Sequence, residues 1–260
     1  MTTDRKNING ICYILDKENK TASVCCLDDD EHYEGYIQIP SIVTYKECYR
    51  VCSIGEKAFK DCRELTTITI PDSVTSIRDK AFENCSGLTS ISIPDSVTEI
   101  GDCAFECCSS LTSISISNTI TYIGGDIFYG CSSLTSISIP GSVTSIGCSA
   151  FHGCSSLTSI SIPDSVTSIG DCAFECCSSL TSISISNTIT YIGGGIFYGC
   201  SSLTSISIPG SVTSIGDATL LEGAFEGCIG LTSINIPKKC NKYWKRGFPR
   251  MFWFDKYIYP

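Results

Sequence analysis

Between residues 65 and 239 the chain alternates hydroxyl-bearing and aliphatic positions in one short pattern that returns every 23 residues. The segment LTSISI at 88–93 is representative. Its period of two predicts a short strand with Leu88, Ile91 and Ile93 inward and Ser90 and Ser92 outward. Proline follows at 71, 94, 140, 163, 209 and 237. Lacking a backbone donor, it marks a strand end and a corner. A second extended piece, VTSI, turns Val74 and Ile77 inward. Gly101, Gly124, Gly147, Gly170, Gly193 and Gly216 close that piece, which predicts a corner at positive φ. The next stretch, 102–108, predicts one helical turn burying Ala104, Phe105 and Cys108.

The repeat is long-ranged. Phe82, Phe105, Phe128, Phe151, Phe174 and Phe197 lie 23 residues apart, as do Cys62, Cys85, Cys108, Cys131, Cys154, Cys177 and Cys200. Both series resume at Phe225 and Cys228, five residues late, with the extra residues between Asp217 and Gly223. Residues 94–147 match 163–216 at 52 of 54 positions, an offset of three rungs that points to an in-frame duplication. A lone rung buries too little to offset its ordering entropy, whereas stacked rungs cover one another's faces. The pattern therefore predicts a β-rich solenoid with short helical turns and rungs ~4.8 Å apart.

Composition narrows the classes. The 260 residues hold no apolar run near 18 residues, so no transmembrane helix is expected. The opening MTTDRKNING lacks an apolar signal core. Net charge is −9, which argues against nucleic-acid binding. Charge is also segregated: from Ala81 to Pro237 there are twelve acids and no Lys or Arg, while the last 23 residues carry seven basic groups and one acid. The acidic spine suits solubility or a basic partner, and it repels anionic lipid. The aromatics of 238–260, among them Tyr243, Trp244, Phe252 and Trp253, read as a cover for the open end of the last rung, with a membrane or partner patch as the alternative.

The rung L-x-x-I-x-I-P-x-S-V-T-x-I-G-x-x-A-F-x-x-C closely resembles the BspA-like leucine-rich repeat over roughly residues 36–239. The resemblance implies one right-handed leucine-rich-repeat solenoid of about eight rungs. Its parts would be an antiparallel β cap at 1–35, repeats at 36–237 and an aromatic cap at 238–260. It also implies a cell-surface or secreted adhesin that binds extracellular-matrix or other cell-surface proteins. The absence of a visible signal in this chain leaves a cytoplasmic interaction scaffold as the alternative.

No enzyme is expected. Of 19 cysteines, eight share one rung position among apolar neighbours, which reads as a column of buried thiols, with disulfides between rungs as the alternative. Cys103-x-x-x-Cys107-Cys108 and its copy at Cys172, Cys176 and Cys177 lack common zinc spacing and stand three rungs apart. Of the two histidines, His152 falls where other rungs carry Glu or Tyr, and so reads as an exposed variable site with no Cys or Ser partner. No metal, cofactor or catalytic residue is expected. The candidate ligand face is the row of outward serines: Ser90, Ser92, Ser113, Ser115, Ser136, Ser138, Ser159, Ser161, Ser182, Ser184, Ser205 and Ser207. It is poor in aromatic and arginine anchors, which predicts weak contacts summed by multivalency, or binding at the Tyr122/Tyr129 and Tyr191/Tyr198 corners. A regular hydroxyl array that matches ice or a polysaccharide is a further reading of the same rows.

Overall fold

The computed structural model describes residues 4–27, 31–216 and 223–243. Antiparallel pairing opens the chain. β1 (Asp4–Ile8), β2 (Ile11–Asp16) and β3 (Thr21–Cys25) form a meander. Asn9 and Gly10 both take positive φ, as a two-residue hairpin of the I′ type requires. After β4 (Gly35–Gln38), a second hairpin joins β5 (Ile42–Tyr45) to β6 (Glu47–Ile54). Antiparallel pairing thus continues beyond residue 35. β6 also pairs in parallel with β3 and with β8 (Ser76–Ile77), so it converts the opening sheet into the stack.

Two parallel arrays follow. On one side β4, β7 (Leu65–Thr69), β9 (Ser90–Ser92) and β11 (Ser113–Ser115) pair in sequence. On the other, β8 pairs with β10 (Glu99–Ile100), and β12 (Tyr122–Ile123) pairs with β13 (Ser145–Ile146). β14 (Ser159–Ser161) resumes the serine side and pairs directly with β16 (Ser182–Ser184), while β15 (Ser168–Ile169) joins β13 on the other side. β17 (Tyr191–Ile192), β18 (Ser214–Ile215) and β19 (Lys242–Tyr243) complete the second side. Partners such as Ser90 and Ser113, or Ile146 and Ile169, are 23 residues apart. The sequence period is therefore the step of the stack.

The predicted helical turn does not form, and no α-helix occurs among the described residues. Residues 102–108 are a run of tight turns whose amides alternate in direction. Glu106 and Cys108 N–H groups bond back three residues, to Cys103 and Phe105. Cys103, Phe105 and Cys107 N–H groups instead donate forward to Gly125, Ile127 and Tyr129 of the next rung, at 2.9, 3.0 and 2.6 Å. A helix would keep all of these donors for its own carbonyls. The stack takes half of them.

The corner glycines also depart from the expected positive φ. Of the six corner glycines only Gly216 has positive φ. Gly101, Gly147 and Gly170 are required by close approach of the neighbouring backbone, whereas a Cβ on Gly124 or Gly193 would chiefly meet the Asp102 or Asp171 carboxylate. A Cβ on Gly170 would lie 2.4 Å from the Cys148 amide nitrogen, and one on Gly147 would lie 2.6 Å from that of Gly125. Left-handed backbone falls elsewhere, at two sites per rung. One runs through Cys103, Asp126, Ser149 and Cys172; the other runs through Cys107, Gly130, Gly153, Cys176 and Gly199.

Two columns run through the core beside the inward leucines, isoleucines and valines. Phe59, Phe82, Phe105, Phe128, Phe151, Phe174, Phe197 and Phe225 stack with centroids 5.1–5.8 Å apart. Tyr33 starts the column, 4.7 Å from Phe59. Its hydroxyl accepts from the Cys12 amide and donates to the Cys25 carbonyl. Beside the rings stand the cysteines, all with free thiols. From Cys85 onward each donates to the carbonyl of the phenylalanine one rung back, for example Cys108 to Phe82 at 3.2 Å and Cys131 to Phe105 at 3.1 Å.

Burial pushes the thiols of Cys62, Cys131, Cys177 and Cys228 up to about 12. A thiol raised in the fold stays protonated there after the unfolded chain has ionised. Stability is therefore complete below about pH 9 and falls as pH rises towards 12, by about 1.4 kcal/mol per pH unit for each such thiol. Urea midpoints measured across this range check the prediction, and a flat profile would contradict it.

Candidate functional site

All twelve predicted serines are exposed. Ser90 and Ser92 lie on β9, Ser113 and Ser115 on β11, Ser159 and Ser161 on β14, and Ser182 and Ser184 on β16. Ser136, Ser138 and Ser205 fall between named strands, and Ser207 bridges to Asn235. The register aligns Ser113 with Ser90 and Ser115 with Ser92, and likewise Ser182 with Ser159 and Ser184 with Ser161. Two hydroxyl columns result, with a spacing of ~4.8 Å.

A third column flanks them, and its hydroxyls are engaged. Thr89, Thr112, Thr135, Thr158, Thr181 and Thr204 each donate Oγ1–H to the threonine carbonyl one rung back, at 3.1–3.4 Å. Among the described residues the twelve serine hydroxyls have no partner in the protein and remain open to a ligand or to water.

The structure adds an anchor that the strand alternation did not single out. Tyr36 on β4 is in register with Thr67, which is in register with Ser90, so it heads the first column. It is 59% exposed, and its hydroxyl bonds Thr69 Oγ1 at 3.2 Å. The signal lay in YIQIP at 36–40, which aligns with TITIP at 67–71. At the corners, Tyr122 and Tyr191 are 44% and 40% exposed, whereas Tyr129 and Tyr198 are half-buried. Partial burial raises the Tyr122 hydroxyl.

His152 differs from expectation. It is half-buried, with its ring 4.6 Å from that of Tyr129 and its Nδ1 3.6 Å from Glu175 Oε2. Cys176 completes the group. A histidine at a variable corner predicts no cysteine partner, yet the 23-residue step brings the next rung's Glu-Cys pair against it. The basic, aromatic segment 244–260 lies outside the described residues. Among those described, no helix is long and apolar enough to cross a membrane.

Parallel strands at a fixed 23-residue step, with the L-x-x-I-x-I face on one side and a phenylalanine-cysteine core, define a leucine-rich repeat protein. Within that class the chain belongs to the family of the BspA type leucine rich repeat region, whose profile matches residues 35–146 and 123–251 in six copies. No curated protein matches the chain. Among solved structures it is similar to a Treponema (T. pallidum) leucine-rich repeat protein, at 23% identity and TM-score 0.56, over 88% of this chain and 91% of that one. It is also similar to a leucine-rich cell surface protein of Faecalibacterium prausnitzii, at 24% identity and TM-score 0.45, over 90% and 95%. A leucine-rich repeat protein of Bacteroides ovatus matches at 26% identity and TM-score 0.33, over 95% and 98%. The first of these likenesses supports the fold.

Proposed function

We propose that this chain is a non-enzymatic protein-binding module, an adhesin-like surface or secreted protein that engages matrix or other cell-surface proteins through its serine columns. The observation that carries this reading is the register of exposed serine hydroxyls without internal partners, beside threonine hydroxyls that are all engaged. Tyr36 supplies the aromatic anchor that the monotonous columns lack. Many weak, equally spaced contacts then sum by multivalency.

The test changes one column. The variant carrying Ser113→Arg, Ser136→Arg, Ser159→Arg and Ser182→Arg is expected to lose roughly tenfold or more in binding to immobilised matrix proteins, with its melting temperature held, because each contact in a multivalent face is individually weak. Unchanged binding would move the site to the Tyr122 and Tyr191 corners.

A cytoplasmic interaction scaffold is the second reading, and a chain of nineteen cysteines with no disulfide among the described residues favours it. Proteinase K applied to intact cells separates the two. Digestion places the chain on the surface; full protection places it inside.

A further inference from the structure

The rung step sets residue n against residue n + 23, so His152 meets Glu175 and Gly153 meets Cys176. One donor atom from each of His152, Glu175 and Cys176 lies within 4.8 Å of the others, and His152 Nδ1 stands 3.6 Å from Glu175 Oε2. Donors at 2.0–2.3 Å from one tetrahedral ion stand about 3.3–3.8 Å apart, so small side-chain rotations close the set. A neighbour holds the imidazole, against which the Tyr129 ring lies, while the nearby Cys172 thiol donates to the Gly194 carbonyl at 3.8 Å. All three residues are half-buried, which leaves room for water on the open side.

The corner three rungs earlier serves as an internal control. Sixty-nine residues earlier, Glu106 and Cys107 repeat Glu175 and Cys176, but Glu83 stands where His152 does. Glu83 is held by Lys60 at 2.9 Å and Lys80 at 3.7 Å, so lysines neutralise that corner. The sequence from 81 to 237 holds no Lys or Arg, so no such cation is at hand around Glu175. The later corner instead offers nitrogen, oxygen and sulfur donors in a strongly acidic spine. That donor set suits a borderline divalent ion.

We infer that His152, Glu175 and Cys176 bind one divalent transition-metal ion, with Zn2+ the best match and the fourth position left to water. The site is on the rung corner, away from the serine columns, and stands independently of the binding reading. Cys176 binds as thiolate, and its proton passes to solvent.

Two variants test this and keep the fold. His152→Tyr installs the residue found at 129 and 198, and Cys176→Gly installs the residue found at 130, 153 and 199. Glycine there suits the positive φ of Cys176. The reduced full chain is titrated with Zn2+ by calorimetry and with Co2+ by absorption. The wild type is expected to bind one equivalent that shows a thiolate-to-cobalt charge-transfer band. Each variant is expected to lose on the order of a hundredfold in affinity for that equivalent, together with the band. Cys107→Gly in the earlier corner should leave both unchanged. No binding by the wild type would overturn the inference, as would equal binding by wild type, His152→Tyr and Cys176→Gly, which would trace the metal to other thiols.

Discussion

Replacing Phe128 with alanine is expected to cost about 3–5 kcal/mol and to split unfolding into two transitions. Phe128 is fully buried, 5.8 Å from Phe105 and 5.4 Å from Phe151, near the middle of an eight-ring column. The backbone around it is fixed by forward hydrogen bonds to the next rung, such as Phe128 to Ala150 at 2.9 Å, so the void cannot collapse fully. In a stack, stability is the sum of rung terms and nearest-neighbour interfaces. Weakening one central interface therefore uncouples the halves as well as lowering the total. Urea unfolding followed by circular dichroism measures both effects. A single transition at the wild-type midpoint would contradict the argument. Tyr36→Ala, at an exposed site, serves as the comparison and should stay within about 0.5 kcal/mol.

The second large effect comes from the smallest side chain. Gly170→Ala is expected to destabilise by about 3 kcal/mol, at the upper end for overpacking. Its new methyl would stand 2.4 Å from the Cys148 nitrogen and 2.6 Å from the Gly147 carbonyl carbon. These are backbone atoms, so no rotamer change relieves the clash. Gly141→Ala and Gly210→Ala introduce the same methyl where nothing lies within 4 Å, and should be near neutral. Thermal unfolding of the three variants separates close approach from loss of glycine itself. Equal melting temperatures would mean that the rungs can part at this corner without cost.

These two cases show what the sequence could and could not carry. The phenylalanine and cysteine columns, the inward isoleucines and the outward serines were legible, because burial follows the local alternation and the alternation repeats eight times. The roles of the glycines were not. Gly170 and Gly199 look alike along the chain; one is needed for room and the other for a left-handed backbone. The difference lies in the rung beneath, which local pattern does not describe. Cys103 and Cys172 hold positive φ without being glycine, and so gave no sign of a corner. His152 was misread for a related reason. Its partners are 23 and 24 residues away, and adding the rung period to each chemically capable residue would have found them.

The forward hydrogen bonds of the corner turns have an electrostatic consequence. Along the stack, amides such as Lys57, Phe59 and Asp61, then Lys80, Phe82 and Asn84, and later Gly153 and Gly199, all donate towards the C-terminal rung. Their peptide dipoles are therefore aligned over many rungs, as in a long helix but with the opposite polarity relative to chain direction. The first rung of the corner carries the partial negative end and the last rung the partial positive end. The basic side chains of the corner sit at its negative end: Lys57, Lys60 and Lys80 stand in the first two rungs, where they balance Glu56, Asp61 and Asp79, and beyond them only carboxylates continue, from Glu83 through Glu106 and Glu175 to Glu226.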